Sequence, residues 1–251
     1  MGGQAMRTNR FWQLGLAALA VCFLAPCVLL VLPLAGQPPE TLWQAVSAPD
    51  YLRAYRNTLL LALGGVLVQT GVALPAGCFL ARLAPGRVRQ VCLALCLLLM
   101  LLPQQALMLP QYLLLQTFGL LDTLAGLLLM TAFQPWMVLL FWFGTSRIDR
   151  ELFDAAACDG AAGLSFCRRI YLPLMAPYLA AAALLSMAES WNLLEQPMIF
   201  LQQRANDPLS ILFSRLPGAS PAQKLFAGVL FALPLVILFG LVARSSRPPR
   251  A

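Results

Sequence analysis

Six apolar runs alternate with short polar segments along the chain, and the polar segments hold nearly all of the charge. A helix rises 1.5 Å per residue and needs roughly 20 apolar residues to cross a hydrocarbon core about 30 Å thick. The runs at 11–35, 57–81, 90–109, 123–143, 174–200 and 224–242 meet that length. They predict an all-α membrane protein with six transmembrane helices and one domain spanning 1–251. The fifth run is the least regular, because Glu189, Asn192, Glu195 and Gln196 interrupt it. The first run is longer than a signal-peptide core and ends without a small-x-small cleavage pattern. It reads as a retained span, with a cleaved leader as the alternative.

Composition strengthens this reading. The 251 residues are 60% hydrophobic and only 11% charged, with a mean hydropathy of +0.77. A soluble domain has roughly a quarter of its residues charged, so much of this surface faces lipid. There is no His, which removes His-ligated zinc, a Ser/His/Asp triad and a His proton relay. No metal site is expected. Of the seven Cys none forms a CxxC pair, and in apolar runs a free Cys acts as a small hydrophobe. The net charge of +7 comes from Arg residues scattered between spans, not from one basic face, so nucleic acid is not an expected partner.

Those Arg residues orient the chain, since cytoplasmic loops are enriched in Arg and Lys. With a cytoplasmic N-terminus, only Arg53, Arg56, Arg204, Arg215 and Lys224 of the 17 basic residues fall outside. Both termini are therefore expected in the cytoplasm. The long inner connection, 144–173, carries both signs of charge, including Arg147, Asp149, Glu151, Asp154, Asp159, Arg168 and Arg169. Lipid attraction would favour positive charge alone; mixed charge fits a protein-binding surface.

Locally this connection predicts two short helices. Asp149 is placed to cap the first, Glu151 puts negative charge in its first turn, and Asp159-Gly160 ends it. The second starts near Ser165 and stops before Pro173. The small residues Ala155–Ala157 and Ala161–Gly163 leave the backbone open to a closely approaching partner, with Asp154 beside it. The alternative is a juxtamembrane helix packed on its own bundle.

Asp154-Ala155-Ala156, then Gly160, then nine residues and Ile170-x-Leu172-Pro173, resembles the EAA loop of bacterial ATP-binding-cassette (ABC) importer permeases, E-A-A-x3-G-x9-I-x-L-P. Asp154 stands where the pattern has Glu. The stretch D-A-A-A-C-D-G-A matches the sugar-importer form. Pro110-x-Tyr112, Gly119-Leu120-x-Asp122-Thr123, Asn57-Thr58, Trp191-Asn192, Pro197, Gly228 and Pro234 resemble maltose-type permeases, although Leu193 and Leu194 replace the usual Glu-Phe. The chain is most similar to the second permease of such pairs.

The resemblance implies a type I importer bundle in the bacterial cytoplasmic membrane. It implies a second permease subunit, a cytoplasmic ABC ATPase dimer and an extracytoplasmic solute-binding protein as partners. Asp154, Ala155, Ala156, Asp159, Gly160, Ile170, Leu172 and Pro173 would couple the bundle to the ATPase. The chain has no G-x-x-x-x-G-K-[ST] loop, so no cofactor is expected on it, and ATP belongs to partner subunits.

Ionisable and polar groups inside a span are functional candidates by default. Measured from Leu174, Glu189 lies about 22 Å and Asn192 about 27 Å along the fifth helix, in its outer half. Glu189, Asn192 and Gln196, at i, i+3 and i+7, share one helical face and Trp191 and Glu195 a neighbouring one. Amides, a carboxylate and an aromatic plane suit a sugar, so Asn192, Glu189, Trp191 and Gln196 are the candidate solute-pathway residues. Hydrogen bonding to neighbouring helices is the competing role. It is the better reading for Gln69, Gln104, Gln105 and Gln134, and packing or interfacial anchoring is the better one for Trp136. An intramembrane enzyme would need a catalytic pair at depth. Glu189 and Glu195, six apart, would point some 120° from each other on one helix. A permease for a polyol phosphate or peptide is the other alternative, but a phosphate calls for Arg, and no span carries a central Arg.

Overall fold

A computed structural model describes residues 38, 40, 49–158, 163–214 and 220–245. The predicted first span, 11–35, and the coupling candidates Asp159 and Gly160 lie outside them. Among the described residues the regular structure is entirely helical.

The organising element is α1, Pro49–Arg82, of 34 residues. At 1.5 Å per residue it is about 51 Å long, more than a hydrocarbon core about 30 Å thick requires. Asp50 sits in its first turn and Arg82 in its last, each complementing the helix dipole. It packs most extensively on α5, Pro135–Ser146, and next on α9, Ala176–Trp191. Small residues set how close these neighbours come. A Cβ on Gly77 would lie 2.7 Å from the Trp142 backbone N and the Phe141 Cβ of α5, and one on Gly65 would lie 2.6 Å from Ser190 Oγ of α9. Between these two points, the Ser186 hydroxyl donates to Gln69 Oε1 at 2.6 Å, both side chains being buried. Lipid is as apolar as Leu, so helices in a membrane are joined by such close packing and by interhelical hydrogen bonds. Gln69 thus has the interhelical role expected of it.

Three of the other predicted spans are broken. The run 90–109 divides into α2, Arg87–Leu101, and α3, Gln104–Thr117, bent by 97°. Pro103 supplies no N–H and forces the preceding Leu102 into an extended conformation, φ −69° and ψ 127°. The run 123–143 divides into α4, Leu124–Thr131, and α5, bent by 50°; Gln134, before Pro135, is likewise extended. The run 174–200 is helical from Ala176 only to Trp191. Before it, Cys167–Leu174 is bent 70° away; after it, α10 spans Glu195–Phe200. With the last helix, α12, Pro221–Ser245, the described residues hold two uninterrupted candidate crossings, and five if each bent pair is one.

The two ends of the bundle are built differently. At one end lie Arg82, Arg89 and Arg147 with helix α6, Arg150–Cys158, and the helical run α7, Leu164–Phe166, a π-turn Cys167–Tyr171 and α8, Leu172–Leu174. At the other, buried Asn57 donates from Nδ2 to the carbonyls of Ala205 (2.9 Å) and Asp207 (3.2 Å). Its neighbour Thr58 accepts from the N–H of Leu209 at the start of α11, Leu209–Ser214. Asp122 ties the same loop to the α3–α4 connection. It sits at φ 61°, and its Oδ1 accepts the N–H groups of Gln202 (2.9 Å) and Gln203 (3.0 Å). Asn206 donates to its carbonyl. Gly119 makes the preceding turn at φ 64°, and Thr123 caps α4 by accepting from Gly126 N–H. The Gly119-x-x-Asp122-Thr123 and Asn57-Thr58 signatures are therefore one clamp on the segment 201–209.

Two outcomes follow. Gly77→Leu should force α1 and α5 apart and lower stability by about 1–3 kcal/mol, the usual size of an overpacking effect. Gly71→Leu should be near neutral, because a Cβ at Gly71 meets nothing within 4 Å; thermal unfolding of the two variants in detergent compares them. Asp122 gives a pH signature. Burial opposes its ionisation, but the N–H groups of Gln203 and Gln202 and the Asn206 side chain outweigh it and hold the carboxyl below its ordinary value. The native state thus favours the charged form. Its contribution is fully present above the unfolded-state value of about 3.9 and is lost as pH falls through the lower native value. Proteolytic protection of 201–209 should be lower in Asp122→Ala than in the parent at pH 7, and the difference should begin to shrink only as pH falls below about 3.9 and vanish once it has passed the lower native value.

Candidate functional site

The three chain breaks converge. Two adjoining cavities, of about 370 and 480 Å³, share Gln104, Thr131, Gln134 and Gln196 on their walls. The first reaches Leu102 at the α2–α3 bend and Phe133, Pro135 and Trp136 at the α4–α5 bend. The second takes in Glu189, the whole interruption 192–194 between α9 and α10, and Glu195 and Gln196 at the start of α10. In hydrocarbon an unpaired backbone group costs several kcal/mol, so irregular backbone survives at depth only when buried in protein or lining a cavity. Three interruptions around one space mark that space as the place where this bundle departs from simple lipid-spanning helices.

Local hydrogen bonds make the breaks tolerable. Asn192 ends α9 at φ −90° and ψ 7°, with both its N–H and its Nδ2 donating to the Ala188 carbonyl at 3.2 and 2.8 Å. Ser210 donates to the freed carbonyl of Leu193 at 2.6 Å. Thr131, at the end of α4, donates to the carbonyls of Leu127 and Leu128.

Of the four pathway candidates, the structure brings Glu189, Asn192 and Gln196 to one cavity wall. It does so by a different route from the single helical face expected of them, since the chain leaves the helix after Trp191 and Gln196 belongs to α10. The same break puts Glu195 on the wall that Glu189 also lines, where an unbroken helix would point them apart. Glu195 accepts a hydrogen bond from Gln105 Nε2 at 3.1 Å. Trp191 turns the other way. It is fully buried, its indole N–H donates to the Phe231 carbonyl at 2.9 Å, and its ring packs edge-on against Tyr55, 5.7 Å between centroids. In this structure it joins α9 to α1 and α12. Gln104 and Gln134, expected to join helices, line the cavity, and so do Gln111 and Trp136. A proline one residue before or after each of Gln104 and Gln134 was the available signal: Gln beside a helix-breaking residue inside a span is set where the backbone opens.

The polar lining has a distinct chemistry. Gln196 is only 5% exposed, and its Oε1 has no hydrogen-bond partner; the buried Oε1 of Gln111 also has none. Unsatisfied buried acceptors normally cost about 1–3 kcal/mol each, so a solute donor entering the cavity would relieve them. No Lys or Arg stands among the described residues lining either cavity.

The second candidate surface is α6. Asp154 and Ala155 are exposed, while Phe153 and Ala156 are buried, so the outer face is free and the inner face is docked. The Phe153 ring lies 5.1 Å from Phe166 and 6.4 Å from Tyr171 between centroids, and the Arg82 guanidinium sits 4.7 Å over it. A cation over an aromatic face contributes about 0.5–1 kcal/mol at such half-exposed places. Tyr171, between the candidates Ile170 and Leu172, shares a buried 2.7 Å hydrogen bond with Thr145 of α5. Ile170 and Leu172 are half-buried and Pro173 is exposed. Beside this socket a cavity of about 330 Å³ is lined by Arg82, Arg89, Thr145, Ser146 and Asp154 among others. Phe153 thus fastens α6 to the end of α1, an attachment that the small residues around it did not announce.

Comparison with known proteins places these features. Residues 73–248 match the model of the family described as binding-protein-dependent transport system inner membrane component. The arabinooligosaccharides transport system permease protein AraQ of Bacillus subtilis is 30% identical over 75% of this chain and 68% of its own. The lactose transport system permease protein LacG of Rhizobium radiobacter is 27% identical over 78% of this chain and 72% of its own. A bacterial ABC transporter that imports the acidic polysaccharide alginate shares the fold, with a TM-score of 0.85 and 19% identity, covering 98% of this chain and 99% of that one.

Phe153→Ala should loosen α6 without unfolding the bundle. Removing the ring empties the socket between Arg82, Phe166 and Tyr171. Amide hydrogen exchange over 150–158 should rise by at least about tenfold, which corresponds to ~1.4 kcal/mol of local stability, while exchange in α1 stays as in the parent.

Proposed function

The chain belongs to the family of binding-protein-dependent transport system inner membrane components, and from that premise we propose that it forms, with a second permease subunit, the path by which a saccharide enters the cell. It is a multi-pass component of the cytoplasmic membrane and a transporter subunit, not an enzyme. The observation that carries the saccharide reading is the cavity at the three chain breaks, walled by side-chain amides and by Glu189, Asn192 and Trp136. Amides donate and accept at once and match the alternating demands of sugar hydroxyls. The relatives named for arabinooligosaccharide and lactose transport support the same class.

In this reading the six predicted crossings place the Asp122 clamp on the outer side, where a solute-binding protein docks, and α6 on the cytoplasmic side. The exposed face of α6, with Asp154 and Ala155, seats in a cleft of an ATPase subunit together with Asp159 and Gly160. When the ATPase dimer closes on ATP, α6 moves as a rigid body. The Phe153 socket passes that movement to α1, and the close contacts at Gly77 and Gly65 pass it on to α5 and α9. Those two helices each carry one wall of the cavity, so movement at one end of the bundle reshapes the space at the breaks. Binding energy and nucleotide energy are coupled because both bias the same two-state arrangement.

The test uses the whole transporter, purified through a tag on this chain and rebuilt in vesicles with its binding protein. Saccharide uptake should require ATP. Gly160→Leu should leave the subunits assembled but cut uptake at least about tenfold while ATP hydrolysis persists; unimpaired uptake by that variant would remove α6 from the coupling role.

A further inference from the structure

We infer that the cavity at the chain breaks selects non-anionic saccharides, neutral or amine-bearing, and turns acidic ones away. This rests on the reading of the cavity as the solute path. Two features of the lining point that way, and a third fits a hydroxylated ring. Its best-buried polar side chain, Gln196, presents an unpartnered Oε1, and Gln111 presents a second. These acceptors can be satisfied only by a donor. A sugar hydroxyl or ammonium group can donate, whereas an ionised carboxylate has no proton to give and would face two carbonyl oxygens across a desolvated gap.

The second feature is charge. Glu189 and Glu195 stand on the same wall, and no Lys or Arg among the described lining residues offsets them. Recognition of a carboxylate or phosphate normally relies on an Arg fork or a Lys, and like charges set against each other across a site cost several kcal/mol. The third is the arrangement of the remaining groups. Gln104 and Gln134 sit at the junction of the two cavities, where their amides can serve ring hydroxyls, and Trp136 next to them offers its ring face and a buried indole N–H without a hydrogen-bond partner, which a hydroxyl oxygen can accept. The fold is shared with an importer of an acidic polysaccharide, so the fold leaves the charge of the solute open. The residues that line this chain's wall of the path bear on it.

Equilibrium binding to the purified complex, with the binding protein washed away, tests the inference. The probes are a galactose trisaccharide and the galacturonate trisaccharide that differs from it only by oxidation at C6. The parent complex should bind the neutral probe at least about tenfold more tightly, equivalent to ~1.4 kcal/mol. Glu189→Gln/Glu195→Gln should close most of that gap by improving affinity for the acidic probe. Equal binding of both probes by the parent, or a gap that the double variant leaves unchanged, would overturn charge selection while leaving the saccharide path intact. Binding of neither probe would overturn the path itself and the inference with it. Gln196→Leu separates recognition from structure. Removing an unpartnered acceptor should leave the thermal midpoint of the complex unchanged or raised, yet weaken the neutral probe at least about fivefold; a lowered midpoint with unchanged binding would make Gln196 a structural residue and overturn its part.

Discussion

Close approach along α1 holds the bundle together. Helices in lipid have no hydrophobic drive to associate, because the surrounding tails are as apolar as their own side chains. What remains is contact at short range and the hydrogen bonds that short range permits. Gly77 lets α1 and the backbone of α5 touch, Gly65 lets α9 approach, and between them Gln69 and Ser186 close a buried hydrogen bond. Side chains at the two glycine positions would push these helices apart and strain this hydroxyl–amide bond as well. Both α5 and α9 depend on this seam for position, and each carries one side of the central cavity.

The cavity exists because the chain is interrupted three times in one place. Proline accounts for two of the interruptions directly: Pro103 and Pro135 each lack a donor and hold the residue before them extended. The third, at 192–194, has no proline within it. Asn192 instead competes for the helix backbone with its own side chain, and Ser210 takes the carbonyl that is released. An interrupted span is stable only if its open backbone groups find partners. The partners here leave several side-chain amides facing an open space, which is the condition for holding a polar solute within an apolar medium.

Much of this was legible in the residues. The hydropathy pattern located the apolar helical segments among the described residues, but not the bends that divide three of them. Gly119, Asp122 and Thr123 could be recognised as a motif, and Asn57-Thr58 as another, but their shared purpose could not, since it depends on the backbone of 201–209 arriving from 80 or more positions away. Trp191 looked like a solute platform because an aromatic beside Asn and Glu suits a sugar. It packs on Tyr55 and Phe231 instead, since the last turn of α9 aims it at α1 and α12. Glu189 and Glu195 looked divergent because helical phase was assumed to continue through a segment where the helix ends.

By itself, then, the chain's pattern of apolar lengths, prolines and basic residues determined a membrane-embedded helical protein and the order of its apolar segments, because these depend on local properties: solvent transfer, a missing N–H, the charge of a loop. The tertiary structure alone decided which polar groups meet. Helical phase is lost at a break, and beyond it a side chain's direction is set by what the next helix packs against. Gln104, Gln134 and Gln196, drawn from three separate segments, became one wall only when α1 had fixed where those segments lie.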